Sequence, residues 1–460
     1  MPLIKSISGI RGTIGGLAGE NLTPVDIVSF CAAYATWLKD YGENLQVVIG
    51  RDARISGSMV HELAVQTLLG MGIDVIDLQL STTPTVAMSV ILNQANGGII
   101  ITASHNPVEW NALKFLNDRG EFISAEAGER ILSIIHHQDF SFAEVFDLGK
   151  RRYDQGAIDQ HISAILNLPL VKTDEIKAKR FKVIVDCVNS TGSISIAPLL
   201  AALGCDYKLL NDDLSGNFSH NPEPLPQNLI EIANEMSQGE YDLGIVVDPD
   251  VDRLALLCED GSMFGEEYTI VALADYILRH TKGSTVSNLS STQALKDITL
   301  NHGEQYYASA VGEVNVVAKM KEVGAIFGGE GNGGVIYPEL HYGRDALVGI
   351  ALILSYFCET GKSASEIRGD MPQYVISKQK VNLEKNVDPD VVIEKLKDRY
   401  QSTEKDTEDG LKLIFPGEWV HMRKSNTEPI IRIYAESKDQ SGADALAHKF
   451  VNEITELSCN

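Results

Sequence analysis

Short apolar runs alternate with helically spaced apolar positions along most of this chain, and the alternation returns in a fixed order. Gln46-Val-Val-Ile-Gly50 reads as a buried strand, and Arg51-Asp-Ala-Arg54-Ile-Ser-Gly57 opens a helix whose apolar spacing ends at Gly70-Met-Gly72. Ile73-Asp-Val-Ile76 reads as the next strand. The same order returns at Lys182-Val-Ile-Val-Asp186, the turn Asn189-Ser-Thr-Gly192, a helix to Leu203-Gly204 and a strand from Cys205. It returns more weakly at Thr285-Val-Ser-Asn288, a helix start at Ser290-Ser-Thr292, and Gly303-Glu-Gln-Tyr-Tyr. Each unit adds a third apolar strand, at Gly98–Ile101, Leu243–Val247 and Ala325–Phe327. Apolar strands alternating with helices predict parallel sheets built from βαβ units.

Past residue 370 the pattern changes. Val375–Val381, Leu411–Phe415 and Ile430–Tyr434 read as strands, and Val391–Tyr400 and Ser441–Glu456 as amphipathic helices. That mixture predicts a small α+β unit with an antiparallel sheet. The division is then 1–150, 151–255, 256–370 and 371–460: three similar α/β domains with mixed, largely parallel sheets, and a C-terminal α+β domain. A length of 460 residues fits three or four domains.

Polar chemistry collects in the loops after the third strands. Gly98-Ile-Ile-Ile101 leads into Thr102-Ala-Ser104-His105-Asn106-Pro107, with Lys114 ten positions past the serine. A strand ending in such a turn presents a hydroxyl at the rim of a sheet, where open α/β folds keep their ligands. Serine alone is a weak nucleophile and needs a base or a metal as partner. His105 lies next to Ser104, and adjacent side chains rarely face each other productively, so it reads as a phosphate contact or turn former.

Asp248-Pro-Asp250-Val-Asp252-Arg253 follows the second of these strands. Alternation in extended backbone would point all three carboxylates the same way. Like charges so close call for a cation, and a hard divalent metal suits oxygen ligands. The competing readings are a solvated acidic turn, disfavoured after Gly244-Ile-Val-Val247, and an EF-hand. The latter fails because its sixth place is Arg253 rather than glycine and Leu254–Leu257 reads as strand.

Three further stretches complete the picture. Arg423-Lys-Ser425-Asn426-Thr427-Glu428-Pro-Ile-Ile-Arg432 offers guanidiniums, hydroxyls and an amide, the multiple donors that a phosphate requires. Gly328-Gly-Glu330-Gly-Asn332-Gly-Gly334 lacks the Lys-Ser/Thr ending of a P-loop, but its carboxylate and amide suit neighbouring sugar hydroxyls. Arg11, Arg51 and Arg54 add positive charge near the first sheet, and Asp52 reads as half of a structural ion pair with Arg51.

Composition trims the options. A net charge of −24 argues against nonspecific nucleic-acid binding, though it leaves room for a local basic cleft that takes an anion. Apolar runs break well before the roughly 18–20 residues of a membrane span, and no apolar core follows Lys5 to make a signal peptide. Six scattered cysteines without a Cys-x-x-Cys pair read as small buried hydrophobes in a reducing cytoplasm.

Taken together, the Ser104, Asp248–Arg253, Glu330–Asn332 and Arg423–Arg432 loops resemble those of the α-D-phosphohexomutase superfamily, in family order and over the whole chain. The resemblance implies a heart-shaped molecule of four domains, the first three alike. It implies a phosphoserine at Ser104 and Mg²⁺ bound by that phosphate with Asp248, Asp250 and Asp252. Arg11, His105, Arg253 and Lys114 would serve the reacting centre, Lys114 as general base or acid. Glu330 and Asn332 would read the sugar, and Arg423, Ser425, Asn426, Thr427 and Arg432 the non-transferred phosphate. Two departures stand out. Members often read Gly-Glu-x-Ser-Gly-His where this chain has Gly329-Glu-Gly-Asn332-Gly-Gly334, so the histidine, a proton-transfer group in members that carry it, is absent. Pro249 replaces a common glycine and leaves the carboxylates intact.

The Gly-Glu-Gly-Asn-Gly-Gly form resembles the phosphoglucosamine mutase branch. The expected activity is therefore interconversion of a hexosamine 6-phosphate and 1-phosphate through a hexose 1,6-bisphosphate-type intermediate, in a cytoplasmic monomer or homodimer with no nucleic-acid or membrane partner. A hinge near residue 370 would close the site. Glucose or mannose phosphates as substrates, a metal-dependent sugar phosphatase and a catalytically silent sugar-phosphate-binding protein are the rivals.

Overall fold

The chain, as a computed structural model, is described over residues 3–6, 9–384, 387–425 and 430–458. It divides into two compact units, Met1–Thr269 with Asn332–Glu366, and Ile270–Gly331 with Ile367–Asn460.

The first unit opens with β1 (Ile4–Ser6), β2 (Gly9–Thr13) and α1 (Pro24–Lys39), then β3 (Gln46–Arg51), α2 (Gly57–Gly70) and β4 (Asp74–Leu80). Next come α3 (Thr83–Leu92), β5 (Gly97–Ile101), β6 (Trp110–Leu116), α4 (Ala125–His137) and β7 (Arg151–Tyr153). Their sheet runs β1-β2-β6-β5-β3-β4-β7. The near-continuous apolar character of β3 and β5 has a direct cause. Val47, Ile49, Ile99 and Ile101 feed the core under α1, α2 and α4, while Val48 and Ile100 feed the opposite core under α3. Alternate residues point to opposite faces, and both faces are covered.

After α5 (Ala157–Leu166) and α6 (Thr173–Lys179), a second sheet repeats the plan with β8 (Lys182–Asp186), α7 (Gly192–Ala202) and β9 (Asp206–Leu210). It is completed by α8 (Ile230–Gln238), β10 (Leu243–Val247) and β11 (Leu254–Leu257). In both sheets the first strand of the repeat, β3 or β8, lies between the second and third, parallel to each, and a fourth strand adds antiparallel to the third. The repetition read from the sequence is thus a repetition of topology.

The second unit takes the plan up again. Past α9 (Glu266–His280), β12 (Thr285–Asn288) lies between β13 (Tyr306–Ser309) and β14 (Phe327–Glu330), parallel to both, with α10 (Gln293–Asn301) and α11 (Glu313–Val323) as connections. The third strand therefore starts at Phe327 and not at Ala325 as the apolar run suggests. Gly324 ends α11 in a left-handed conformation, and Ala325 N–H closes back on Met320 O. Gly328 and Gly329 belong to the strand rather than to a loop, because a Cβ on Gly328 would lie 2.4 Å from Met320 Sδ. The chain returns to the first unit for β15 (Gly334–Ile336) and α12 (Ala346–Thr360), a helix apolar nearly all round and buried accordingly. No single described helix is long and apolar enough to cross a membrane.

Beyond α13 (Ala364–Asp370) come β16 (Val375–Asn382), α14 (Pro389–Arg399), β17 (Glu404–Asp406), β18 (Leu411–Phe415), β19 (Glu418–Lys424), β20 (Ile430–Ser437) and α15 (Gln440–Ser458). The sheet runs β16-β20-β19-β18-β17, antiparallel throughout, over a core shared with α14 and α15.

One buried side chain fixes the turn after β5. Arg54 sits just ahead of α2 with its side chain wholly buried. It pairs with Asp52 at 3.1 Å and donates to the carbonyls of Ser104, Asn106 (2.7 Å), Pro107 (2.7 Å) and Trp110 (3.0 Å). Thr102 Oγ1 adds a 2.7 Å bond to the Asp52 carboxylate. The structural partner of Asp52 is thus Arg54 and not Arg51, whose guanidinium reaches only the Asp52 carbonyl at 3.0 Å. Arg51 ends β3, so its side chain leaves the sheet before the turn that carries the carboxylate.

Removing one partner of a buried ion pair leaves an uncompensated charge, at a cost of roughly 3–5 kcal/mol. Arg54→Met is therefore expected to lower the unfolding free energy of the first unit by about that much in urea titrations. The Arg54→Met/Asp52→Asn double variant is expected to be more stable than Arg54→Met alone. A double variant less stable than the single one contradicts this account.

Candidate active site

Ser104 takes a left-handed conformation (φ 48°), and its N–H donates to Thr102 Oγ1 at 2.9 Å. Its hydroxyl is nearly buried and donates to Asp248 Oδ2 at 2.5 Å. The neighbouring His105 Nδ1 lies 3.4 Å from Ser104 Oγ, a poor contact beside the one to Asp248. Burial, then the cations Arg253, Arg344 and Lys114, drive the His105 imidazole well below its ordinary pKa. The ring is neutral and contributes no positive charge.

The three aspartates converge, but not by the geometry that alternation suggests. Residues 248–253 form a tight turn, with Val251 left-handed (φ 61°) and its N–H on Asp248 O at 3.1 Å. Proline at 249 and the left-handed residue rule out an extended strand, and the carboxylates meet by wrapping inward. Asp248 Oδ1 accepts the N–H groups of Asp252 (3.2 Å) and Arg253 (3.1 Å), which tightens the wrap. Neighbouring elements fasten the turn from outside. Ser190 and Thr191 hydroxyls donate to Pro249 O (2.7 and 2.8 Å), Thr83 N–H to Asp250 O (2.9 Å), and Ala346 N–H to Val251 O (3.2 Å).

All three carboxylates have no exposure, and one ligand oxygen from each lies within 4.8 Å of the others. Burial, then the charges of Asp250 and Asp252, push the Asp248 carboxyl well above the usual range. Burial acts the same way on Asp250, but Lys114 and the Thr83 hydroxyl outweigh it and hold that carboxyl below the usual range. Thr83 Oγ1 donates to Asp250 Oδ2 at 2.6 Å, and Lys114 Nζ approaches the same oxygen at 3.0 Å. Asp250 Oδ1 and Asp252 Oδ1 are buried with no hydrogen-bond partner among the described residues. Unpartnered oxygens aimed into a buried acidic group fit a hard divalent cation, and the three aspartates are a group able to hold one.

Cations surround the acids. Lys114 stands on β6, 3.9 Å from Asp252 Oδ2 as well; burial works against its charge, but Asp250 and Asp252 hold its pKa above the ordinary value. Arg11 pairs with Ala112 across β2 and β6, which puts it on the same sheet face as Lys114. Arg253 follows the turn directly. Arg344, which sequence pattern does not single out, donates to Asp252 Oδ2 at 2.5 Å. His341 lies 3.3 Å from Asp345, the residue that caps α12, and His161 binds the same Asp345 oxygen at 2.9 Å.

Asn332 also belongs to the first unit, its side-chain oxygen accepting Gly334 N–H at 3.1 Å. Glu330 lies in the second unit as the last residue of β14. It accepts from Asn288 Nδ2 (2.9 Å) and Gly312 N–H (3.1 Å). Asn288 closes β12, the strand parallel to β14, and only the pairing of those strands reveals its proximity.

The second unit also carries Arg423, Ser425 and Arg432; Asn426 and Thr427 lie outside the described residues. Arg423 on β19 is directly opposite Arg432 on β20, which is directly opposite Lys380 on β16. Three cations thus form a row across one sheet face, with Asp409 4.0 Å from Arg423 as a partial counter-charge. Like charges so paired destabilise a sheet unless an anion lies over them. Ser425 N–H donates to Ile430 O at 3.0 Å. Lys380 is invisible to sequence reading because only strand register brings it there.

Comparison with known proteins gives the family. The chain matches all four domains described for phosphoglucomutase/phosphomannomutase: α/β/α domain I over residues 4–142, domain II over 159–261, domain III over 265–374, and the C-terminal domain over 379–453. It is 35% identical over 439 residues to a phosphoglucomutase/phosphomannomutase of Thermococcus kodakarensis, covering 94% of this chain and 95% of that protein. It is 30% identical over 455 residues to a phosphoglucosamine/phosphogalactosamine mutase of Sulfurisphaera tokodaii, covering 97% and 98%. The fold is also that of a crystal structure of a phosphoglucomutase/phosphomannomutase family protein from Burkholderia thailandensis, with a TM-score of 0.85 at 24% identity over 99% of this chain and 98% of the other. With all four domains matched in order and relatives aligned from end to end, the chain belongs to the phosphoglucomutase/phosphomannomutase family.

Proposed function

We propose that this phosphohexomutase interconverts glucosamine 6-phosphate and glucosamine 1-phosphate, with Ser104 as the phosphoryl carrier. The observation that carries the reading is the 2.5 Å bond from Ser104 Oγ to Asp248, which sets a strand-end hydroxyl against a buried acidic triplet. In the first half-reaction the P–Oγ bond breaks as a P–O bond to the sugar hydroxyl forms, giving a bisphosphorylated sugar. Lys114, held protonated by Asp250 and Asp252, gives a proton to the leaving Ser104 Oγ and takes back the one that the sugar hydroxyl releases, so no net proton is consumed. The second half-reaction runs the same steps backwards from the other phosphate, so each group acts once as acid and once as base. Mg²⁺ held by Asp248, Asp250, Asp252 and the Ser104 phosphate would draw charge off the transferring group.

The remaining roles follow from chemistry. Arg253, Arg11 and the neutral His105 line the transferring phosphate. Glu330 and Asn332 read sugar hydroxyls. Arg423, Ser425, Asn426, Thr427 and Arg432 hold the non-transferred phosphate, aided by Lys380. The working division is 1–150, 151–255, 256–370 and 371–460, with closure near residue 370 excluding water during transfer. The enzyme acts in the cytoplasm on a small sugar phosphate, as a monomer or homodimer, without nucleic acid or membrane. Glucose or mannose phosphate is the second reading, favoured by the 35% identity to the Thermococcus kodakarensis protein.

Two outcomes are expected. The purified chain carries one phosphate that incubation with sugar phosphate removes, as read by intact mass. Ser104→Ala lacks that phosphate and loses turnover by about 10⁴-fold or more; a variant that keeps turning over points instead to a phosphatase with an aspartate nucleophile. In a coupled assay at matched concentrations, glucosamine phosphate has the highest kcat/KM. A preference for glucose or mannose phosphate above about tenfold, or about 1.4 kcal/mol, would overturn the glucosamine assignment.

A further inference from the structure

Arg344 reaches the acidic triplet through a space that exists because residue 334 is glycine. The backbone beneath it is pinned on several sides. Arg344 bridges Ile336 antiparallel to the end of β15, and Asp345 N–H donates to Val335 O at 2.8 Å. The Asp345 side chain accepts from Leu347 N–H (2.8 Å) and Val348 N–H (3.2 Å), and its other oxygen meets His161 and His341. From this anchored start the arginine side chain runs across β15. A Cβ built on Gly334 would lie 2.3 Å from Arg344 Cδ and 3.1 Å from Cγ. Those carbons are mid-chain and cannot step aside without moving the guanidinium. Gly334 has no left-handed φ, so space rather than backbone conformation calls for glycine.

We infer that Arg344 is a positioning residue of the transfer centre, holding Asp252 through a passage that any side chain at 334 would block. The inference rests on the function proposed above. A guanidinium stays protonated, so Arg344 supplies fixed charge and orientation and cannot move a proton. It lies close enough to His105 and Lys114 for its charge to act on both. This also gives a physical meaning to the chain's departure at position 334: a side chain there and Arg344 over Asp252 exclude each other. Proton transfer then stays with Lys114, and a cation takes the cleared space.

The test uses the full chain with Mg²⁺ and sugar phosphate. Arg344→Met is expected to lower kcat on the order of 10²-fold, the usual loss when one preorganised donor is removed, with KM moving far less. Arg344→Lys keeps the charge but not the planar fork, and recovers part of the loss. Gly334→Ala falls as Arg344→Met does, and the double variant falls no further, because both changes remove one contact. A crystal structure of Gly334→Ala is expected to find the guanidinium displaced from Asp252. Should Gly334→Ala not fold, Gly334→Ala/Arg344→Ala, with the passage cleared, folds and matches Arg344→Ala in kcat.

The inference is overturned if Arg344→Met stays within about twofold of wild type or if the double-variant losses multiply. It is overturned as well if the arginine stays on Asp252 in the alanine variant or the cleared double variant fails to fold. Absence of turnover in the wild-type chain removes the mutase reading instead, and the crystal structure then decides the passage by itself.

Discussion

The structure depends on holding three buried carboxylates together. At separations up to 4.8 Å, each ionised pair repels by about 3.5 kcal/mol at an effective dielectric near 20. Three such pairs approach the whole stability of an ordinary domain, about 5–15 kcal/mol. The turn survives because opposing terms are built around it. Lys114 and Arg344 bond Asp250 and Asp252 directly, and Arg253 adds a third cation beside Asp248, whose carboxyl burial and the neighbouring carboxylates push well above the usual range. Ser190, Thr191, Thr83 and Ala346 tie the backbone down from three other elements. Residues far apart in sequence are thus recruited to one object, and the strand-end loops of both sheets of the first unit are held in place by it.

What the sequence made legible was whatever is local or periodic. The βαβ order was readable because strands covered on both faces must be apolar at nearly every position, as in β3 and β5. Ser104 and the aspartates stood out because polar groups directly after such strands are otherwise unexplained. The aspartates also illustrate a correct conclusion on a mistaken ground: they converge through a turn with a left-handed valine, not through extended alternation. The role of Arg54 stayed hidden because it works on backbone carbonyls some fifty positions away, which no side-chain pattern records. Lys380 and Asn288 depend on strand register, and Arg344 on a glycine across β15. The third repeat was shifted because Gly328 and Gly329 look like loop residues, although Met320 packing is what demands the first of them.

The two cationic devices differ in build, and the difference bears on the kind of reaction. In the first unit, cations and carboxylates nearly balance, with Lys114, Arg344 and Arg253 against Asp248, Asp250 and Asp252. On the proposed function, a divalent cation and a dianionic phosphate can enter there together without changing the net charge, and neither is favoured alone. In the second unit, Lys380, Arg432 and Arg423 stand in a row, with Asp409 beside Arg423. That row favours a dianion with no metal. A hydrolase needs only the first kind of place. On the proposed function, the first place is metal-ready and chemical and the second a plain anion seat, the two requirements set by a bisphosphorylated intermediate. On the same proposed function the net charge of −24 adds contrast, because away from local cations a strongly acidic protein repels a sugar phosphate.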